Sequence, residues 1–393
     1  MRDTGSPIST VSRPLVWLFA CAAALSVANV YYAQPLLDTL ALEFGMRPSG
    51  SGMVITATQA GCALALLLVV PLGDMLNRRR LTLLQLGLLG ASLAGLACAT
   101  SSAALLAGML LVGLLGTAMT QGLIAYAASV APSHERGRVV GTAQGGVVIG
   151  LLLARTLSGV VTDLAGWRAV YLLSAVLSLA LLLLLWRMLP PPVAPARKLP
   201  YGALLASMFD LLKTNRVLQV RGVLALLLFA AFSIFWSALV FPLSAQGYSH
   251  AAIGAFGLVG VAGALGAARA GTLADRGRAQ WTTGAALLLL LASWLPLSFA
   301  GSALWPLIVG IIALDLAGQA IHVTNQSLIF RHDSDAHSRL VACYMLFYAV
   351  GSGLGAIAAT STYALAGWHG VCALGAAVSL LALLFWRLTL PSN

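Results

Sequence analysis

Four polar residues share one face of a long apolar segment near residue 320. Asp315 is followed by Gln319, His322 and Gln326 at i+4, i+7 and i+11, so a helix aligns them in one stripe. A charge at the bilayer centre costs about 2.5–3.5 kcal/mol on insertion scales, so an acid retained there usually faces a cavity or a partner. The stripe therefore indicates a water-filled passage. The alternative is an interhelical hydrogen-bond cluster that only fixes packing.

Asp315 is the only acid that falls in the middle of a predicted membrane span. Desolvation favours the neutral form of a carboxyl group, and an approaching cation favours the ionised form. We therefore predict that Asp315 is the principal proton-coupling group, with His322 as a relay, because imidazole changes charge in the physiological pH range. Asp38, near the outer end of the first span, is a second candidate for proton coupling; an ordinary interfacial acid is the alternative.

Arg155 lies outward of the middle of the fifth span. Its guanidinium stays protonated at any relevant pH, so it cannot itself carry the proton. It can bind an anionic group of a substrate, or hold Asp315 or Asp38 ionised. The alternative is a structural ion pair or a side chain that extends to the membrane surface.

Amides and aromatic side chains complete the predicted substrate cavity. Tyr31, Gln34 and Asp38 share a helix face, and Pro35 loosens the helix between them. Aromatic residues on the seventh and eleventh spans suit planar or cationic compounds, but the same residue types also pack between helices and face lipid. Asn29 fits either a substrate contact or helix packing. The predicted set is Asn29, Tyr31, Gln34, Gln121, Arg155, Trp236, Gln319, Tyr344 and Tyr348.

Composition defines the elements that must hold these residues. The chain has 393 residues, of which 60% are hydrophobic and 8% charged, against about 25% charged in soluble domains. Apolar runs of about twenty residues recur, and alternating strands of a membrane barrel are not seen. We predict an all-α integral membrane protein with twelve spans, at 15–38, 52–72, 81–100, 103–130, 139–161, 168–188, 220–244, 251–272, 281–300, 304–326, 339–361 and 366–388.

The net charge of +11 is a topology signal. Basic residues lie in alternate loops and at both ends of the chain, which predicts that these loops and both termini are cytoplasmic. Nucleic-acid binding is not expected. The loop residues in this interpretation are Arg78–Arg80, Arg136, Arg138, Arg187, Arg197, Lys198, Lys213, Arg216, Arg221, Arg276, Arg278, Arg331 and Arg339.

Motifs for other chemistries are missing from the sequence. The five cysteines fall inside predicted spans without metal-ligand spacing, so we expect no disulfide, no metal and no cofactor. There is no nucleotide-binding GxxxxGK[ST] motif and no constellation of nucleophile and base. The sequence thus disfavours an ATP-driven pump and an enzyme.

The chain repeats itself at one fixed offset. A separation of 201 residues joins Asp74 to Asp275, Trp167 to Trp368 and Arg138 to Arg339. Such a duplication in an apolar chain predicts a pseudo-symmetric transporter with its site between the halves. We expect six-helix bundles at 1–189 and 220–393, joined by a proline-rich linker at 190–219 that ends in a short surface helix. Glycines at every third position from Gly254 to Gly266 predict a sliding interface.

These features together resemble the major facilitator superfamily. The resemblance covers the whole chain, and residues 29–37 and 154–159 are similar to bacterial proton-coupled drug and metabolite exporters. Val70, Leu151 and Ala118 depart from the family patterns, standing in place of a glycine, a proline and an arginine. The resemblance implies gating loops that hold the outward-open state, formed by Gly73, Asp74, Arg78, Arg79, Gly271, Asp275, Arg276 and Arg278.

The predicted function is secondary active transport by alternating access. We expect a monomer in the bacterial inner membrane that exchanges protons for a small amphipathic compound or metabolite and exports it. One alternative is uptake or facilitated transport of a small organic anion drawn by Arg155. An alternative from another class is a transporter-like membrane sensor.

Overall fold

The chain folds into long apolar helices because lipid offers the backbone no hydrogen-bond partners, so every N–H and C=O must be satisfied within the segment. The computed structural model describes residues 11–132, 134–190, 200–300, 303–330 and 337–390, apart from the side chains of Asp74, Asp275, Phe330, His337 and Ser338. Within this part of the chain, eleven helical segments are long and apolar enough to cross a membrane.

We number these segments α1 to α11. The first six form the N-terminal half: α1 Arg13–Glu43, α2 Pro48–Gly73, α3 Arg78–Ala97, α4 Ser102–Val130, α5 Arg136–Ala165 and α6 Trp167–Met188. The C-terminal half comprises α7 Arg216–Ala245, α8 His250–Leu273, α9 Arg276–Leu297, α10 Leu304–Ile329 and α11 Arg339–Thr389. A linker helix, Tyr201–Thr214, precedes α7.

The all-helical membrane architecture predicted from the sequence is confirmed. The last two predicted spans form one long helix, α11, which is interrupted at Gly367, where φ is 62°. One assignment was wrong: Arg221 is not a loop residue but lies buried inside α7, 5% exposed. Its guanidinium is 3.4 Å from both Thr283 and Asn325, and such polar contacts make its burial tolerable.

Local sequence signals set the helix ends. The side chains of Asn77, Ser101, Asn215 and Ser249 accept hydrogen bonds from backbone N–H groups in the first turns of α3, α4, α7 and α8. These are the residue types preferred at helix N-caps. In α1 the α-helix ends at Tyr31 and a 3₁₀ turn, Gln34–Leu36, follows around Pro35. The loosening predicted at this proline is therefore present.

The repeat appears in matching loops of the two halves. Gly166 has φ of 81° and Gly367 has φ of 62°, a region that only glycine adopts without strain. Each glycine precedes a buried tryptophan whose indole N–H donates a hydrogen bond. Trp167 donates to the carboxylate of Glu43, and Trp368 donates to the Leu297 carbonyl at 2.8 Å.

Helix packing defines two ends of the molecule. Within the N-terminal half α1 packs on α5, α2 on α4 and α3 on α6; within the C-terminal half α7 packs on α11 and α10 on both α8 and α9. Contacts between the halves join α5 to α8 and α2 to α11. We call the end with the linker helix and the α2–α3, α4–α5 and α8–α9 loops the basic face, and the end with Gly166 and Gly367 the opposite face.

The linker helix rests on both halves at the basic face. The Tyr201 hydroxyl donates to the Leu68 carbonyl of α2 at 2.8 Å, and the Cys343 thiol of α11 lies 3.6 Å from the Met208 carbonyl. The short surface helix predicted within 190–219 is Tyr201–Thr214, and Asn215 ends it and caps the start of α7. The proline-rich part at 191–199 lies outside the described residues.

Replacing either loop glycine should destabilise the fold. We expect Gly166→Ala and Gly367→Ala each to lower the free energy of unfolding by about 1–3 kcal/mol, because alanine is strained at these backbone angles. Thermal unfolding in detergent measures the effect. Gly202→Ala is the matched control, since Gly202 lies in a helix with open space around it. Wild-type melting by both loop variants would contradict the prediction.

Candidate functional site

Arg155 lies buried between the two halves, 7% exposed, and contacts both. Its Nε donates a hydrogen bond of 2.7 Å to the side-chain carbonyl of Gln34 on α1. The guanidinium carbon sits 4.0 Å from the centre of a Trp236 ring on α7 and 5.5 Å from that of Tyr31. A desolvated cation over an aromatic face is stabilised by the ring quadrupole. Arg155 is therefore held by a neutral amide of its own half and joins the other half through an aromatic ring.

Asp315 on α10 is the second buried charged group of this region, 4% exposed. Its Oδ2 is fully buried and has no hydrogen-bond partner among the described residues. No ion pair within 4 Å links it to Arg155, although both side chains are described. Burying a charged oxygen without a hydrogen-bond partner is unfavourable, which favours a proton on this oxygen.

Helix α8 brings Arg155 and Asp315 onto neighbouring turns. A Cβ added at Gly257 would lie 3.3 Å from Cβ of Arg155, and one added at Gly260 would lie 2.9 Å from Oδ2 of Asp315. The glycine face thus holds one charged side chain from α5 and another from α10. Gly254 and Gly257 of the α8 repeat lie at the contact with α5, between the halves, and Gly263 packs against α10 at Asp315 and Gln319. Sliding at this contact stays a prediction.

Aromatic residues surround the same region. The hydroxyls of Tyr31 on α1 and Tyr348 on α11 are hydrogen-bonded, which ties the halves together. The rings of Tyr348 and Phe229 are 4.0 Å apart between centres. A small cavity beside Arg155 is lined by Gln34, Pro35, Trp236, Leu239, Val240 and Ile253. Tyr31, Gln34, Arg155, Trp236 and Tyr348 therefore share one region.

Two predicted residues lie elsewhere in the C-terminal half. The Nδ1 of His322 is 3.0 Å from the hydroxyl of Tyr344, and this hydroxyl belongs to a fully buried residue packed near the linker helix. His322 is not bonded to Asp315, so the direct relay inferred from their shared helix stripe is absent in this conformation. The reason is that seven residues of helix separate the two by about 10 Å.

Asn29 and Gln121 also lie away from Arg155. Asn29 donates to the Leu25 carbonyl at 2.9 Å and accepts from the Ser174 hydroxyl on α6 at 2.6 Å. Its amide serves helix packing within one half, which was the alternative assignment. Gln121 instead lines a cavity at the basic face, between the halves and the linker helix, together with Gln85 and Arg339.

Asp38 belongs to a separate cluster at the opposite face. Its carboxylate accepts a 2.6 Å hydrogen bond from Ser244 on α7 and lies 3.2 Å from Nε2 of His250, the first residue of α8. His250 also contacts Asp163 at the end of α5. Sequence analysis missed His250 and Asp163. The available signal was that each lies at the end of a membrane span, α8 for His250 and α5 for Asp163, and that these two spans belong to different halves.

The predicted gating loops lie together at the basic face. Arg78 donates to the carbonyls of Gly73 and Ala125 at 3.0 and 2.7 Å, and Arg79 donates to the Trp186 carbonyl at 2.6 Å. These bonds anchor the α2–α3 loop to α4 and α6. In the second copy, Gly271 faces Val323, and Arg276 and Arg278 are exposed. The side chains of Asp74 and Asp275 lie outside the described residues.

Polytopic helices in two matching halves, with a polar site buried between them, define a membrane transporter. The chain belongs to the Major Facilitator Superfamily, whose profile matches residues 19–339. Its fold and relatives are those of transporters, which are not enzymes.

The relatives span nearly the whole chain. It is 43% identical over 395 residues to the "Uncharacterized transporter YgaY" of Escherichia coli O157:H7, covering 97% of this chain and 96% of that protein. It is 33% identical over 374 residues to the "Probable transporter SCO4007" of Streptomyces coelicolor, covering 94% and 86%. The crystal structure of a bacterial homolog of the human lysosomal transporter Spinster superposes with a TM-score of 0.78 at 15% identity, covering 96% and 97%.

The substitution Gly254→Ala should favour opening of the contact between α5 and α8 at the opposite face. Its Cβ would lie 2.2 Å from the Arg155 carbonyl oxygen, which the closed arrangement cannot accommodate. Overpacking of this kind costs about 1–3 kcal/mol, so the open fraction should rise roughly fivefold or more. The measurement is the rate at which a water-soluble maleimide labels Val240→Cys, a buried position beside Arg155.

The control for that measurement is Gly145→Ala on α5, where an added Cβ meets no atom within 4 Å. Both variants are compared after the exposed native thiols Cys21 and Cys98 are replaced by alanine. Equal labelling rates in the two variants would show that the α5–α8 contact does not control opening.

Proposed function

We propose that this transporter couples the export of a small amphipathic compound to proton uptake, working by alternating access between two bundles at 1–189 and 220–393. Asp315 carries the coupled proton, and Arg155 is its electrostatic counterpart. The observation that carries the proposal is the burial of Asp315, whose Oδ2 has no hydrogen-bond partner in the described part of the chain, one helical turn along α8 from Arg155.

Asp315 binds its proton in one step of the transport cycle and releases it in another, in which Arg155 stabilises the ionised carboxylate. While the halves are closed at the opposite face, the dry surroundings of Asp315 favour its protonated form. When water reaches the site from the basic face, the carboxylate is hydrated and the nearby Arg155 guanidinium stabilises its negative charge, so the proton leaves. A substrate then binds in the space between the halves, and a new proton displaces it after the opposite face opens.

Contacts between the halves support a closed opposite face in the conformation described. Thr56 donates to the Gly353 carbonyl at 2.7 Å, Thr360 donates to the Ser49 carbonyl at 3.0 Å, and Thr156 donates to Gly254 at 3.0 Å. At the basic face the halves and the linker helix instead line a cavity. We infer that the two faces open in turn, each closing as the other opens.

The sidedness of the protein follows the distribution of its charge. The basic face carries the α2–α3 and α8–α9 arginines, and the positive-inside rule assigns such loops to the cytoplasm. We infer that the opposite face looks outward from a bacterial inner membrane. The aspartates at 74 and 275 then belong to cytoplasmic gating loops, and a single chain holds the complete pathway.

The partners of Arg155 also support a second candidate function, transport of a small organic anion. Its one hydrogen bond among the described residues goes to a neutral amide, so the guanidinium has no neutralising carboxylate in hydrogen-bonding contact. An anionic group that reaches Arg155 when the halves part would gain a charge-assisted hydrogen bond. The surrounding rings would cover the apolar part of the same molecule.

Neutralising Asp315 should uncouple transport from the pH gradient. In proteoliposomes, we expect Asp315→Asn to abolish ethidium accumulation driven by an imposed pH gradient, and to retain exchange of ethidium against ethidium. The asparagine cannot bind and release the proton, but substrate exchange needs no net proton movement. Asp210→Asn is the control, because Asp210 is an exposed acid on the linker helix.

Full gradient-driven transport by Asp315→Asn would move the coupling to another residue. The same vesicles tested with benzoate separate the two candidate functions. Benzoate flux that needs Arg155 and persists without a pH gradient, together with absent ethidium flux, would favour the organic-anion transporter.

A further inference from the structure

The beginning of α8 is capped by a carboxylate from the other half of the molecule. Asp163, at the end of α5, accepts hydrogen bonds from the backbone N–H groups of His250 and Ala251, at 3.1 and 2.8 Å. The same carboxylate lies 3.2 Å from Nδ1 of His250. The partial positive charge of a helix N-terminus favours a negative group there. This cap exists only while the two halves are closed at the opposite face.

A second carboxylate reaches the other side of the same imidazole. Asp38 on α1 lies 3.2 Å from Nε2 of His250 and accepts a 2.6 Å hydrogen bond from the Ser244 hydroxyl of α7. Its neighbour Thr39 places a hydroxyl 3.0 Å from Nε2 and donates its backbone N–H to Asp38 at 2.7 Å. All of these contacts except the Thr39 backbone bond to Asp38 link the N-terminal half to the C-terminal half.

The geometry distinguishes the charged imidazole from the neutral one. An imidazolium donates from both ring nitrogens, whereas neutral imidazole has one donor and one acceptor. With a carboxylate on each side, the neutral ring loses one of its two hydrogen bonds to the carboxylates, and on the Nε2 side only the Thr39 hydroxyl is left to donate to the lone pair. The arrangement of Asp38, His250 and Asp163 therefore suits an imidazolium, with a proton on each ring nitrogen, between two ionised carboxylates.

Among the described residues, no other titratable group contacts this cluster. The ring of His250 meets Asp38 from α1 and Asp163 from α5, and α7 supplies only the Ser244 hydroxyl. Elsewhere at this face Glu43 is paired with Arg168. The side chains of His250, Asp38 and Asp163 are 22%, 18% and 27% exposed, so protons from the adjacent water reach them.

We propose that His250, Asp38 and Asp163 form a second proton-binding site, at the opposite face, whose single bound proton locks that gate. Protonation of a carboxylate in acid removes an acceptor from α8, and loss of the imidazolium proton in base removes one of the two donors. The lock is therefore strongest at intermediate pH and weakens in both directions. The proposal does not depend on proton carriage by Asp315.

A distance measurement across the gate tests this site. Nitroxide labels at Leu164→Cys and Leu365→Cys occupy matching exposed positions of the two halves, 81% and 88% exposed. Cys21 and Cys98 are replaced by alanine, and double electron–electron resonance is recorded from pH about 2.5 to about 9, which brackets the reference values of Asp and His near 3.9 and 6.5. We expect the long-distance fraction to be lowest at intermediate pH and to rise about tenfold towards either end.

Variants test separately the rise of the long-distance fraction towards acid pH, the acid limb, and its rise towards alkaline pH, the alkaline limb. His250→Gln cannot become charged, so its long-distance fraction should not change between pH about 6 and 9. Asp163→Asn loses the anionic cap and should show a larger open fraction at every pH. His369→Gln, an exposed histidine at the same face, is the matched control and should follow the wild-type profile.

The same measurement separates this proposal from coupling at Asp315. Asp315→Asn should retain both limbs of the gate profile even where it abolishes gradient-driven flux. A wild-type distance that ignores pH, or a His250→Gln variant that keeps the alkaline limb, would overturn the second proton site. Loss of both limbs in Asp315→Asn would assign the response to the central acid instead.

Discussion

The approach of α5 to α8 is the contact on which the rest of the structure depends. Backbone meets backbone where Gly159 faces the His250 carbonyl and Gly254 faces the Arg155 carbonyl, each so closely that a side chain would not fit. Such an approach excludes water from a strip between the halves. Charged side chains beside this strip are consequently desolvated whenever the halves close, and regain water whenever they part. A rigid-body movement is thereby converted into a change of electrostatic environment.

The lipid around the helices explains why polar chemistry gathers at this strip. A charged or hydrogen-bonding side chain facing hydrocarbon has no partners, so buried polar groups collect where two helices or two halves meet. Arg155 is paired with a neutral amide and a Trp236 ring rather than with a carboxylate. An ion pair across the halves would have to be broken and both charges rehydrated each time the halves part. Weaker neutral partners leave the closed state reversible.

Sequence patterns predicted the architecture well because membrane helices must be long and apolar and the repeat preserves one offset. The matching bends at Gly166 and Gly367, each before a tryptophan, lie at that offset. Partners across helices were harder to predict. Periodicity put Asp315 and His322 on one stripe, but it could not say that His322 would meet Tyr344 instead. Asn29 likewise looked available for a substrate and proved to bond Ser174. A helix face is encoded locally, whereas its neighbour depends on the whole fold.

Helix α8 connects the two places where protons are proposed to act. Its first residue is His250, and Gly260 lies against Asp315 ten residues later, a span of roughly 15 Å at 1.5 Å per residue. Between them, residues Phe256–Gly260 wind as a 3₁₀ helix beside Arg155, and such mid-helix segments often mark hinges. If the cap at Asp163 is released, the first turn of α8 is free to leave α5 while the Gly260 end stays on α10. Opening of the cluster of Asp38, His250 and Asp163 and hydration of Asp315 are then successive effects of one movement of α8.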